Sequence, residues 1–103
     1  MRRRLIARMR DYELTFVVRP DVEDTGLTAL LDKVKGLLTT AGGQGIQVEP
    51  WGRRHLAYPI KKITEGQYFL IRAQLPPQSL RELERNLRLT EEILRFLFVR
   101  ADE

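Results

Sequence analysis

The chain has 103 residues, of which 43% are hydrophobic, so it can form one domain around a single core and is too apolar for a disordered tail. No apolar run approaches the roughly 20 residues that span a bilayer. The basic start lacks a hydrophobic signal core, so we expect a cytoplasmic protein. The sequence has no cysteine, one histidine and one serine. It therefore offers neither a thiolate metal site nor a Ser-His triad with a spare base, and we expect no enzymatic activity and no cofactor.

Positive charge is concentrated in two segments of the sequence. Residues 1–10 carry five arginines and no acid, and residues 50–72 carry five cations against a single glutamate. The rest of the chain holds 8 cations and 13 acids, so the net charge of +4 conceals an acidic body. Cations placed in this way favour a polyanionic partner such as nucleic acid. The alternative is that they only solvate the surface.

The first half of the chain predicts a strand and a helix. Hydrophobic residues alternate over residues 11–19, which is typical of a half-buried strand. Apolar residues at helical spacing follow, with Asp24 or Thr25 as the helix cap. The helix is predicted to end at Gly42 and Gly43, because glycine tolerates the left-handed turn that often closes a helix.

A long hairpin is predicted next. Residues 46–60 form its first strand, with a bend or bulge at Pro50 and Gly52. Residues 63–67 form the connection and residues 68–75 the returning strand.

A second helix and a final strand complete the pattern. Pro77 can lie in the first turn of that helix, or Ser79 and Glu82 can form a capping box. The last strand covers residues 93–100, with Leu94 among the residues that we expect to face the core. The order β-α-β-β-α-β predicts an α+β, ferredoxin-like fold, in which a four-stranded antiparallel sheet has two helices on one face.

The sheet face opposite the helices is predicted to be more apolar than a solvated surface requires. Alternation places on it six residues that we expect at a protein interface: Tyr68, Leu70, Arg72, Arg95, Leu97 and Val99. The alternative is a set of scattered, exposed apolar side chains without a partner.

Four stretches of the sequence resemble a known family. These are MRDYELTFVVRPDV from Met9, WGRRHLAYPIKK from Trp51, TEGQYFL, and LERNLRLTEEILRFLFVR. They are similar to the bacterial family of ribosomal protein six of the small subunit, from Met9 to about Val99. The resemblance implies a ferredoxin-like structural protein without enzymatic activity. It also implies binding to the central domain of the small-subunit (16S) ribosomal RNA, as a heterodimer with small-subunit ribosomal protein eighteen.

The resemblance also implies where the RNA and the partner protein bind. RNA contacts are expected at Arg10, Tyr12, Arg53, Arg54, His55, Lys61, Lys62 and Arg72. The apolar sheet face is expected to bind the partner protein. Residues 1–8 precede the usual start of the family, and we expect them to be a flexible basic extension of a domain at residues 9–103. The rival interpretation is a ferredoxin-like regulatory or protein-assembly domain that does not bind RNA.

Overall fold

A computed structural model describes residues 8–101. The predicted basic extension lies outside the described residues except for Arg8. The elements in chain order are β1 (Arg10–Val18), α1 (Asp24–Thr40), β2 (Gln44–Ile60), β3 (Ile63–Leu75), a 3-10 turn (Pro77–Ser79), α2 (Leu80–Arg88) and β4 (Ile93–Arg100). The strands form one antiparallel sheet in the order β2-β3-β1-β4. This arrangement confirms the predicted α+β, ferredoxin-like fold.

The main core lies between the sheet and the two helices. Strand alternation sends one set of side chains from β1 and β3 towards the helices, including Phe16 and Phe69, whose rings stack with centroids 5.5 Å apart. Leu38 of α1 and Leu83 of α2 are buried against this set because apolar residues recur along each helix at helical spacing. Neither helix in the described part is long and apolar enough to cross a membrane.

The ends of the helices match the predictions only in part. Helix α1 closes as predicted, with Gly42 at a φ of 95°, a conformation that favours glycine. The capping box at Ser79 and Glu82 is wrong, because the Ser79 hydroxyl donates instead to the carbonyl oxygen of Pro76 at 2.7 Å. Pro77 opens the short 3-10 turn before α2, where its missing N–H costs nothing.

The hairpin between β2 and β3 turns at Lys61 and Lys62, so the predicted connection at residues 63–67 is wrong. Ile60 pairs with Ile63, and the two lysines have φ values of 49° and 70°. This is a two-residue turn with left-handed backbone at both central positions, which normally selects asparagine and glycine. Gly66, a glycine within the stretch predicted to connect the strands, lies inside β3 and not in the turn.

The predicted bend in β2 is confirmed. The pairing of β2 with β3 shifts between Pro50 and Gly52, and Gly52 has a φ of 83°. A second shift occurs between His55 and Ile60, so the end of the hairpin is irregular as well. Bulges bend a strand and increase its twist. We call residues 55–63 the hairpin tip.

Strand β4 has a bulge that changes where Leu94 lies. Val17 pairs with Arg95, but Val18 pairs with Ile93, so Leu94 is the additional residue. Ile93 takes the core position instead and is buried. A Cβ atom added to Gly66, on the opposite face, would lie 3.7 Å from a methyl group of Leu94. The prediction that Leu94 faces the core is therefore wrong.

Candidate nucleic-acid interface

The hairpin tip carries two exposed lysines, Lys61 and Lys62, at its turn. Neither takes part in an ion pair within residues 8–101. An ammonium group on a flexible stem with no acid beside it keeps its full charge for an external anion. The turn therefore presents two free positive charges at the end of a projecting hairpin.

Arg53 and Arg54 point to opposite faces of β2, because neighbouring residues of a strand alternate. The Arg53 guanidinium donates to the carbonyl oxygen of Pro20 at 2.9 Å and to a carboxylate oxygen of Glu65 at 3.3 Å. These contacts tie Arg53 to the loop between β1 and α1. Its charge is thus partly compensated within the protein, while 57% of its side chain stays exposed, so the RNA contact expected of Arg53 remains a prediction.

Arg54 lies instead against an aromatic ring. Its guanidinium carbon is 5.3 Å from the centroid of Trp51, a cation–π distance. The indole N–H of Trp51 donates to a carboxylate oxygen of Glu49 at 3.1 Å. Trp51 as a whole is 38% exposed. The sequence analysis did not single out Trp51, although an aromatic residue close to two arginines was a usable signal.

The other predicted RNA-contacting residues differ in their exposure. His55 is exposed, opposite Glu65 in the strand register, and Arg10 is half-buried at the start of β1. Tyr12 is only 6% exposed and belongs to the core between sheet and helices. Because its ring packs against apolar neighbours, we exclude it from the RNA surface.

Arg72 is neutralised by two acids. Its guanidinium lies 2.9 Å from a Glu49 carboxylate oxygen and 3.4 Å from one of Glu13. The hydrogen bond with Glu49 raises the pKa of Arg72, and the same bond, assisted by the Trp51 indole N–H, lowers the pKa of Glu49. Arg72 is thus engaged by its own chain, and the structure does not support it as a free phosphate ligand.

The sheet face opposite the helices, which we call the open face, is apolar but partly covered. Leu70 is only 3% exposed and Val17 only 4%, so the expectation that Leu70 lies on the surface is wrong. Leu70 lies on a central strand, paired with Thr15 of β1 on one side and Glu49 of β2 on the other. The exposed apolar part of this face lies at its edge, on β4.

That exposed edge carries Leu97 and Val99, which are 59% and 46% exposed. Tyr68, further into the open face, is half-buried. The edge therefore provides apolar area that a second protein chain could cover, as the sequence analysis expected of these residues.

A contact between the two outer strands closes one end of the open face. The Arg95 guanidinium donates to the Tyr58 hydroxyl at 2.7 Å and lies 5.0 Å from the centroid of its ring. Tyr58 is in β2 and Arg95 in β4, at opposite edges of the sheet. Three strand spacings of about 4.8 Å separate the two edges. The hairpin tip must therefore curl over the open face, a contact that the sequence did not predict.

The described residues do not form a metal site. Within residues 8–101, no group of three or more histidine or carboxylate side chains is placed to hold a metal ion. What the arrangement provides is free cations at the hairpin tip, an aromatic–guanidinium pair at Trp51 and Arg54 earlier in β2, and an apolar edge on β4.

Comparison with known proteins identifies relatives along nearly the whole chain. A family model described as ribosomal protein S6 matches residues 11–100. Small ribosomal subunit protein bS6 of Moorella thermoacetica is 40% identical over 95 residues, which cover 92% of this chain and 97% of the relative. The bS6 protein of Clostridium novyi is 41% identical, with coverage of 92% and 100%.

Solved structures give the same assignment. The crystal structure of 30S ribosomal protein S6 from Thermotoga maritima matches with a TM-score of 0.84 at 36% identity, covering 91% of this chain and 89% of that one. A GlnK–ATP complex from B. subtilis matches with a TM-score of 0.52 at 12% identity, which shows a shared fold alone.

Proposed function

Because the chain belongs to the ribosomal protein S6 family of the small ribosomal subunit, we propose that it binds the central domain of 16S ribosomal RNA together with small-subunit ribosomal protein eighteen. The family consists of structural proteins of the cytoplasmic ribosome, not enzymes. The central domain and protein eighteen are implied by the resemblance of the sequence to the family, and the surface of this chain supports an anionic partner and a protein partner.

The hairpin tip is the observation that carries RNA binding. Lys61 and Lys62 occupy left-handed backbone positions that favour asparagine and glycine. Such positions cost non-glycine residues roughly 1–3 kcal/mol each, and strain of this kind is concentrated at functional sites. The two lysines therefore lower the stability of the folded state at these positions. The two free charges that they present suit phosphate groups.

The contacts proposed for this site position the protein on the RNA and do not recognise a particular RNA sequence. The ammonium groups of Lys61 and Lys62, with the guanidinium of Arg54, contact phosphates and release condensed counterions. Such contacts fix the orientation of the protein on folded RNA. Arg53 contributes by holding the hairpin to the β1–α1 loop through Pro20.

The apolar edge of the open face supports the proposed heterodimer. Leu97 and Val99 are exposed side by side on the open face of an outer strand. A partner chain that covers them would bury apolar area that this chain leaves in water. Arg95 and Tyr58 would border the contact.

The test is a measurement of RNA affinity at several salt concentrations, with the partner protein present. The variant Lys61→Gln/Lys62→Gln should bind the central-domain RNA more weakly, and the slope of log affinity against log salt should flatten by about 1.4–1.8. The matched control is Lys33→Gln/Lys35→Gln, which removes the same charge from two exposed lysines of α1.

The control should leave the salt slope within about half a unit of the parent. Equal losses in both variants would mean that only net charge matters and that the hairpin tip is not the site. Absence of RNA binding by the parent would favour the rival function, a protein-assembly domain.

A further inference from the structure

We propose that Trp51 and Arg54 form a stacking site for one unpaired nucleobase of the bound RNA. This inference rests on the proposed RNA binding and deepens it, because phosphate contacts alone do not require an aromatic residue. It adds to the interface a residue, Trp51, that the charge pattern does not reveal.

The indole ring is held in place before any RNA binds. Its N–H donates to Glu49 at 3.1 Å, and the guanidinium of Arg54 lies 5.3 Å from the ring centroid. A ring fixed by a hydrogen bond at its edge and a cation over its face loses little conformational entropy on binding. Trp51 as a whole is 38% exposed, so the residue is accessible to a partner.

The backbone also favours a projecting side chain at this position. The pairing of β2 with β3 shifts between Pro50 and Gly52, so Trp51 is the additional residue of a bulge on an outer strand. Bulges redirect side chains and are common next to functional sites. Within residues 8–101 no strand pairs with the outer side of β2, so the sheet leaves this edge open to an approaching RNA.

The surrounding charges select a nucleic acid over an apolar occupant. Arg54 lies over the ring, and Lys61 and Lys62 follow on the same hairpin. The one acid in contact with the ring, Glu49, is paired with Arg72 at 2.9 Å, which reduces its repulsion of phosphate. Nucleobases stack on both indole rings and guanidinium planes, and a flexible unpaired base can reach such a platform more readily than a paired one.

The experiment uses the single tryptophan of the chain as its probe. The complex of this protein with the central-domain RNA and the partner protein is assembled, and its tryptophan fluorescence is compared with that of the free components. The same complex made with Trp51→Phe supplies the background from any tryptophan of the partner. Stacking should strongly quench the Trp51 signal.

Two variants measure how much the stack contributes to affinity. Trp51→Leu should weaken RNA binding roughly 5- to 150-fold, the range expected for one stacked base, while Trp51→Phe should recover part of that loss. Arg54→Lys keeps the charge but removes the planar group, so it should weaken binding without changing the salt slope. Each variant is first checked for an unchanged melting temperature.

The outcomes separate this inference from the proposed function. If the complex forms with unquenched Trp51 fluorescence and Trp51→Leu binds as well as the parent, the stacking site is refuted while RNA binding stands. If Trp51→Leu loses affinity but fluorescence is unchanged, the residue only supports the hairpin, which also refutes stacking. If the parent forms no complex, the proposed function is refuted and this inference is refuted with it.

Discussion

Replacing Leu97 with glutamate should break the proposed heterodimer and leave the isolated domain folded. Leu97 is 59% exposed, so the fold uses less than half of its apolar surface. Full burial of a leucine is worth about 1.5–3 kcal/mol, which limits the loss here to about 1 kcal/mol. In a domain of this size that lowers the melting temperature by about 4–8 °C.

The effect on the heterodimer should be much larger. In the complex the new carboxylate would be buried without a partner designed to meet it, and an unpaired buried charge costs more than the roughly 1–3 kcal/mol of a neutral polar group. Because each step of about 1.4 kcal/mol is tenfold in affinity, binding to small-subunit ribosomal protein eighteen should fall by more than about 100-fold. Thermal unfolding of the variant alone and calorimetric titration with the partner measure the two quantities separately.

Two further variants sharpen the experiment. Leu89→Glu makes the same substitution at a leucine that is 71% exposed beyond the end of α2, so it should leave both fold and affinity nearly unchanged. Leu70→Glu should unfold the domain, because Leu70 is only 3% exposed and its charge would be buried in the sheet. A folded Leu97→Glu variant that binds the partner as tightly as the parent would place the interface elsewhere.

Three other predictions follow from the backbone and the ion pairs. Changing Lys61→Asn and Lys62→Gly should raise the free energy of unfolding by about 1 kcal/mol, as measured in urea, because both residues suit the left-handed turn. Gly66→Ala should destabilise the domain by about 1–3 kcal/mol, since its Cβ would lie 3.0 Å from a backbone oxygen and closer still to a valine methyl group of β1. Arg72→Met should raise the pKa of Glu49, followed by NMR titration. The parent's stability should fall as acid protonates Glu49, since its folded pKa is depressed. The variant should lose much of this dependence but not all of it, because the hydrogen bond from the Trp51 indole also lowers the pKa of Glu49.

The sequence predicted the architecture because hydrophobic periodicity and the order of elements constrain it strongly. Alternation over β1 and helical spacing over α1 identified the core face, and Gly42 marked the helix end. The bend near Gly52 was also predictable, because proline and glycine within a strand have positional meaning. All of these signals are local in the sequence, and the structure agrees with the predictions made from them.

The errors lie where tertiary contacts override local signals. The turn falls on two lysines although Gly66 offered the stronger turn signal, because that glycine is needed where a side chain would collide with β1. The bulge that displaces Leu94 has no signature in composition. Tyr58 reaches Arg95 only because the hairpin curls across the sheet, a consequence of twist accumulated over the whole strand.

Ion pairing divides the cations of the basic segment into two groups, a division that charge counting alone does not reveal. Arg53 and Arg72 each lie within salt-bridge distance of a carboxylate, whereas Lys61 and Lys62 form no ion pair in the part of the chain that the structure describes. The first two residues therefore shape the hairpin and the open face, and only the second two present free charge at its end. Exposed ion pairs contribute little to stability, so the main effect of Arg53 and Arg72 is to position their neighbours. Arg53 fixes the loop beside the hairpin. Arg72 fixes Glu49, which in turn holds the ring of Trp51. A basic segment in a sequence can thus contain two kinds of cationic residue. Some form contacts that fix the shape of the surface, and others present their charge to an external anion. Only the contacts that each side chain makes in the structure distinguish the two kinds.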